Sequence, residues 1–279
     1  MKIVIFGAGQ SGRMIGKLIH GSHETVGYAD NNYKNLAGSI DGVPIISPEE
    51  IISMDADKII ISVLNREAAE EIKANLIEKG IDNNKILNIN QLRDLFDIRL
   101  STIRLLAYEI KSKKVEGSIA ELGVYKGYIA RELNLLFKER RLYLFDTFEG
   151  FDKRDIEHEK ELGKGKFTSR NFSDTNIEKV KDILVYPEKV IFCKGYFPDT
   201  AENINDKFAF VSLDPDLYLP TLNGLRFFYP RLNKGGSILI HDYNSAQFPN
   251  VKKAVREFSK EADIKIVPLS DFHGSAVIF

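Results

Sequence analysis

The chain starts an α/β pattern twice. At its N-terminus the β-prone run KIVIF feeds a glycine turn, GAGQSG, and then a helix-forming stretch, RMIGKLIH. At residue 117 a second start, GSIAELGVYKG, runs into the helical stretch YIARELNLLFKE. A strand, a glycine turn and a helix in that order open a parallel sheet, because glycine lets the chain leave the sheet edge sharply. Two such openings in 279 residues predict two α/β units, residues 1–98 and 99–279.

In the first unit HETVGYAD reads as a strand ending at Asp30, and NNYKNLAGSIDGVPI as a polar, turn-rich excursion. SPEEII opens a short helix and DKIIISVL is a strand. Arg66–Lys79 has apolar Ala69, Ile72, Leu76 and Ile77 at helical spacing and is stopped by Gly80. KILNIN supplies one more strand. The result is a small Rossmann-like unit, closer to half of a doubly wound fold than to a complete dehydrogenase domain. Residues 99–114 form a joining helix with Leu100, Ile103, Leu106, Ala107 and Ile110 inward. Beyond it seven strands can be counted, from SIAEL through RLYLFD, KVIFCKG, FAFVSLD, SILIHD and DIKIVPL to the final GSAVIF. TFEGFDKRDIEHEKELGKGKF reads as a mobile, charged stretch between them.

Lys and Arg total 39 against 40 Asp and Glu, a balance that argues against nucleic acid as the partner. One cysteine, Cys193, excludes an internal disulfide framework, and its apolar strand makes it a packing residue. No apolar run reaches the roughly 18 residues that span a bilayer, and the start carries no signal-peptide pattern. The expectation is a soluble cytoplasmic protein. No CxxC, HExxH or GxSxG pattern occurs.

Gly7, Gly9 and Gly12 spell GxGxxG between a strand and a helix. Gly7 makes the tight turn, Gly9 admits a phosphate to the backbone, and Gly12 allows close helix–strand packing. Asp30 then stands at a strand end, where a carboxylate accepts ribose hydroxyls. The alternative is a compact βα turn and nothing more. GAGQSG followed by GYAD and DGVPI resembles the small nucleotide-binding Rossmann units attached to bacterial sugar-modifying enzymes, which implies a nucleotide or nucleotide-sugar ligand for residues 1–90.

The second turn, ELGVYKG, has Glu121 before Gly123 and Gly127, with Tyr125 between them. A carboxylate there is a poor neighbour for a pyrophosphate but a good one for the positive end of S-adenosylmethionine. Asp146 closes RLYLFD, in place to meet the adenosyl ribose. Phe148 packs either on the adenine or into the core. The blocks ELGVYKG, FDTFEGF, KGYFPDT, LDPDLYLPTLNGLRFFYPRLNKGG, HDY and FPNVKKAVREF, in that order, resemble the macrocin O-methyltransferase (TylF/MycF-like) family of class I sugar methyltransferases. The resemblance implies S-adenosylmethionine as cofactor, a sugar or nucleotide-sugar substrate in polysaccharide or glycoconjugate synthesis, and a homo-oligomer.

Asp214 and Asp216 follow one apolar strand, and His241 and Asp242 follow the next. If the strands are parallel neighbours, these ends meet. Asp214, His241 and Asp242 then form a candidate divalent site, with Mg²⁺ the ion implied, lowering the pKa of a sugar hydroxyl. The family pattern has two adjacent Asp residues where this chain has His241–Asp242. His241 is thus a metal ligand, a general base without metal, or a strand cap. Asp216 either replaces Asp214 or begins the next turn. His158 lies in the charged stretch where related enzymes use a lid, as a base or as part of a solvated helix. His20 and His23 flank an early turn, His273 is a turn residue or lines the pocket mouth, and Tyr196 and Phe197 offer flat surfaces. Two other functions fit parts of the pattern: an NAD(P)-dependent sugar oxidoreductase using Gly9, and a non-catalytic sugar-nucleotide scaffold.

Overall fold

A computed structural model describes residues 1–95, 97–163, 167–271 and 274–279. The charged residues 164–166 and His273 lie outside the described residues. The chain divides into two compact units, one built mainly from Met1–Ile98 and the other from Arg99–Leu269 and Gly274–Phe279.

The first unit contains β1 (Lys2–Phe6), α1 (Gln10–Ile19), β2 (Glu24–Ala29), β3 (Ser39–Ile40), β4 (Val43–Ile46), β5 (Lys58–Ile61), α2 (Arg66–Glu78), β6 (Ile86–Asn88) and α3 (Ile89–Leu95). Its sheet has the order β3-β4-β2-β1-β5-β6, parallel except for the β3–β4 hairpin. That hairpin lies in the stretch the sequence suggested was only an excursion. Its turn is Asp41–Gly42, both at positive φ, the pairing that matches strand twist in a two-residue loop. Helix α2 is capped by Asn65, whose side chain accepts from the Ala68 N–H at 2.9 Å. Gly80, at φ +90°, ends it. Ala69, Ile72 and Leu76 are buried as the periodicity requires, but Ile77 is exposed.

The second unit contains α4 (Ile98–Ser112), β7 (Ser118–Leu122), α5 (Tyr128–Leu136), β8 (Leu142–Asp146), α6 (Lys153–Glu161), α7 (Ile177–Ile183), β9 (Val190–Lys194), β10 (Phe208–Leu213), α8 (Tyr218–Phe228), β11 (Leu232–Ile240), α9 (Pro249–Glu261), β12 (Val267–Pro268) and β13 (Ala276–Ile278). Its seven strands run β12-β13-β11-β10-β7-β8-β9, with β13 antiparallel to both its neighbours and the rest parallel. Strands buried on both faces read as nearly continuous apolar runs, and β10, FAFVSL, is buried at every residue, Ser212 included. Phe145, Phe197, Phe208 and Phe228 pack edge-on or stacked on one side of this sheet. The architecture is the one expected, a small Rossmann-like unit followed by a seven-stranded α/β unit. No helix among the described residues is long and apolar enough to cross a membrane.

Both sheets reverse strand order beside their first strand, at β1 between β2 and β5 and at β7 between β8 and β10. The crevice beyond the carboxyl ends of such strands is where open α/β sheets bind ligands. The charged stretch after β8 is a correction to the sequence reading. It holds α6, on which Lys153, Arg154, Glu157, Lys160 and Glu161 are exposed as a solvated helix requires, but Asp155, Ile156 and Glu159 are buried, so one face of the helix packs inward.

Glycine is required unequally in these turns. At Gly123, φ is +86° and an added Cβ would stand 2.0 Å from the Asp214 carbonyl oxygen. At Gly9 an added Cβ meets nothing within 4 Å. Gly123→Ala should therefore cost more than about 2 kcal/mol of stability, while Gly9→Ala costs about 1 or less. Thermal or urea unfolding of the two variants checks this; equal losses would refute it.

Candidate active site

The register of three neighbouring strands assembles the site. Leu122 of β7 lies opposite Leu213 of β10, and Leu213 lies opposite Ile240 of β11. The residues that follow, Gly123, Asp214 and His241–Asp242, therefore leave the sheet side by side. Gly123 allows the β7 turn to touch the Asp214 backbone. Its absent side chain thus serves the protein's own close packing as well as any ligand.

His241 joins the two acidic ends. Its Nδ1 lies 2.9 Å from Asp214 Oδ1 and 2.7 Å from Asp242 Oδ2. Arg99 on α4 donates from Nη2 to Asp214 Oδ2 at 3.0 Å. Arg99 was invisible in the sequence reading, because it looked like one more charge at the start of a helix known only by its apolar face. Only the tertiary fold brings it 115 residues forward to Asp214. Non-glycine residues at positive φ recur at these turns, at Tyr125, Phe148, Asp216 and Asp242. Such backbone persists only where its surroundings hold it, and it gathers at functional sites.

The electrostatics follow from burial of many acids among few bases. Burial and Arg99 oppose a charge on His241, but Asp214 and hydrogen bonds to both carboxylates prevail and raise its pKa to about 9. Burial also works to raise Asp214, yet His241 and Arg99 hold it down at about 2. Asp216 goes the other way: burial, then the charges of Asp214 and Asp242, push it well above the carboxylate range. Glu121 is 2 % exposed and its Oε2 has no hydrogen-bond partner among the described residues. Burial raises it well above its ordinary pKa, with Arg99 opposing and Asp214 and Asp146 adding to the rise.

Asp214, His241 and Asp242 each offer a ligand atom, all within 4.8 Å of one another. Two carboxylates and an imidazole fit a divalent cation, though the nitrogen suits Mn²⁺, Fe²⁺ or Zn²⁺ better than a hard all-oxygen preference such as that of Mg²⁺. Asp216 and His158 are not in this group. His158, on α6, lies with its ring 5.3 Å from that of Tyr218 and its Nδ1 3.5 Å from Glu161.

The other singled-out residues fall around the two glycine turns. Asp146 Oδ2 accepts from the N–H groups of Val124 at 2.7 Å and Tyr125 at 3.0 Å, and its Oδ1 accepts from Phe148 N–H at 2.7 Å. Asp30 does the same in the first unit, accepting from Ala8 N–H and Asn32 N–H, both at 2.8 Å. Gly127 opens α5 at φ +77°. The Tyr125 hydroxyl donates to Asp174 at 2.7 Å. Phe148 and Phe197 are buried in the core, Phe148 against Phe192. Tyr196 is covered by the Arg154 guanidinium, 3.4 Å from its ring centre. In the first unit, Gly12 packs so closely that a Cβ would lie 1.9 Å from the Gly7 carbonyl oxygen, while Gly9 faces open space.

A raised histidine pKa gives stability a definite pH dependence. Relative to its ordinary value of 6.5, a folded value of about 9 means that the His241 contribution is complete below pH 6.5. It is lost as pH rises through about 9. The shift corresponds to at most about 3 kcal/mol. Melts of chelator-treated wild type and His241→Asn should show a stability gap that narrows between about pH 6.5 and 9.5. A gap constant over that range would mean His241 is neutral in the folded protein.

Comparison with known proteins places these features. Residues 93–279 match the family described as Macrocin-O-methyltransferase (TylF), and residues 1–87 match C2185-like, N-terminal. Demethyldecarbamoylnovobiocin O-methyltransferase of Streptomyces niveus is 27% identical over 179 residues, covering 60% of this chain and 67% of the relative. The 8-demethyl-8-(2,3-dimethoxy-alpha-L-rhamnosyl)-tetracenomycin-C 4'-O-methyltransferase of Streptomyces olivaceus is 24% identical over 196 residues, covering 65% and 72%. Among solved structures, the calicheamicin methyltransferase CalS11 superposes with a TM-score of 0.56 at 21% identity, covering 77% of this chain and 94% of that one, a likeness of fold.

Proposed function

The chain belongs to the macrocin O-methyltransferase (TylF) family and is an S-adenosylmethionine-dependent O-methyltransferase, and from that premise we propose that it methylates a hydroxyl of a nucleotide-linked sugar. In this reading residues 99–279 carry the transfer and residues 1–98 hold the nucleotide handle. The observation that carries it is the meeting of Asp214 with His241–Asp242 directly beside the Gly123 turn. A proton-accepting group thereby sits against a turn suited to the cofactor. A relative whose name specifies 4'-O-methylation of a rhamnosyl compound supports a sugar acceptor.

When bound, S-adenosylmethionine would supply a methyl activated by its sulfonium sulfur, with the neutral thioether as the leaving group. Glu121 would hold its cationic end, and Asp146, which accepts from the loop amides, would hold the ribose hydroxyls. Asp214 and Asp242 orient the acceptor hydroxyl, and His241, in the fraction that has lost its own proton, takes the hydroxyl proton as the new C–O bond forms. His158, packed against the Tyr218 ring and outside the Asp214–His241–Asp242 group, does not move that proton in this reading. A divalent ion held by the same three residues would lower the hydroxyl pKa. Its binding requires the His241 proton to leave, so affinity rises with pH. The positive charges of Arg99 and His241 favour a second version in which no metal is needed.

In the first unit, Ala8 N–H already holds a carboxylate and the surface at Gly9 is open, an arrangement suited to a diphosphate with its ribose at Asp30.

Methyl transfer from labelled S-adenosylmethionine to a panel of nucleotide sugars should be positive, and failure of S-adenosylhomocysteine to bind would sink the proposal. Glu121→Gln is expected to weaken S-adenosylhomocysteine binding by at least about tenfold, roughly 1.4 kcal/mol, by calorimetry. Gly9→Ala should leave that affinity unchanged and weaken the nucleotide sugar; unchanged sugar affinity would remove the first unit from the reading. Full activity after chelation would select the metal-free version.

A further inference from the structure

Helix α6 carries a buried carboxylate that the chemistry above does not use. Glu159 is 2 % exposed, and both its oxygens are engaged by other elements. Oε1 accepts from the Tyr218 N–H at 2.7 Å, and Oε2 accepts from the Asn250 side-chain amide at 2.6 Å. Tyr218 is the first residue of α8, whose preceding residue, Leu217, supplies no side-chain cap. The Glu159 carboxylate thus caps α8 from a different helix, where a negative charge also complements the helix dipole. Asn250 stands in the first turn of α9, whose N-cap, Phe248, likewise offers no side-chain bond.

The two helices so held are the ones that follow the acidic strand ends. The loop from β10 to α8 carries Asp214 and Asp216, and the loop from β11 to α9 carries His241 and Asp242. Each loop contains an Asp at positive φ, Asp216 at +62° and Asp242 at +58°. A non-glycine residue adopts that backbone only when the ends of its loop are fixed. Strands β10 and β11 fix the upstream ends, while the downstream ends meet at one carboxylate. An apolar side chain would fill the same space without the desolvation cost of a buried charge, so packing alone gives no reason for glutamate here.

We propose that Glu159 is a positioning residue, fastening α6 to the downstream ends of both acid-bearing loops and so setting the spacing of Asp214 from His241–Asp242. The role rests on the methyl-transfer reading of those residues, but the fastening itself is measurable without it. Glu159→Leu keeps the volume and removes both bonds. Asn250→Ala removes only the α9 arm. Glu159→Gln keeps the Tyr218 bond through its carbonyl and can pair with a flipped Asn250 amide.

Hydrogen exchange followed by mass spectrometry should rise at least tenfold in Glu159→Leu, in peptides covering both 214–218 and 241–250. In Asn250→Ala the rise should be confined to 241–250, and Glu159→Gln should stay near wild type. Because Leu replaces a buried charge, the melting temperature need not fall. With an acceptor in hand, Glu159→Leu should lower kcat at least tenfold while S-adenosylhomocysteine affinity stays within twofold, and Gln should restore the rate. Faster exchange in α6 alone, or a loss of rate that Gln does not restore, would overturn the proposal. Exchange needs neither acceptor nor metal, so its failure leaves methyl transfer standing, and failed methyl transfer leaves the fastening standing.

Discussion

The approach of Gly123 to the backbone of Asp214 is the constraint on which the second unit's site depends. A turn that follows β7 and a loop that follows β10 come so close that any side chain at residue 123 would strike a carbonyl oxygen. That contact gives the glycine turn and the acidic group a common wall. From it follow the nearness of Glu121 to Asp214 and the crowding of negative charge that Arg99 and His241 must answer.

Such crowding has few stable solutions in a buried place. Carboxylates either find a cation or keep a proton. Both tendencies occur within a few residues: Asp214, gripped by His241 and Arg99, is driven far toward ionisation, whereas Asp216 is driven toward protonation by burial first and then by the charges of its neighbours. The same residue type in one loop is thus pushed in opposite directions. A site with an internal supply of both charge and protons is suited to reactions that move a proton from a hydroxyl as positive charge disappears nearby.

Much of this was legible in the sequence, and the reasons differ from part to part. The central strands of the second unit are nearly all apolar because both faces are covered, so FAFVSLD and SILIHD announced themselves. KVIFCKG, at the sheet edge, is only partly buried and was read from its β-branched and aromatic run. Parallel order then put Asp214 beside His241–Asp242, since adjacent strands end at one edge. β3 and β4 were missed because each is very short and their pairing depends on the Asp41–Gly42 turn rather than on a hydrophobic pattern. The charged face of α6 misled for a related reason. KRDIEHEKE looks solvated when charges are only counted, and nothing in its order reveals that Glu159 has partners 59 and 91 residues away. Arg99 was missed for the same cause, a long-range ion pair with no local trace.

The two units handle their strand-end acid alike. Asp30 is held by the amide of Ala8, and Asp146 by those of Val124 and Tyr125, each on the glycine turn of its own unit. A turn of this kind is held in shape by the chain itself, because its N–H groups already grip an anion that the chain provides. An incoming molecule then trades one set of hydrogen bonds for another instead of ordering a loop, and the conformational entropy of the turn has been spent during folding.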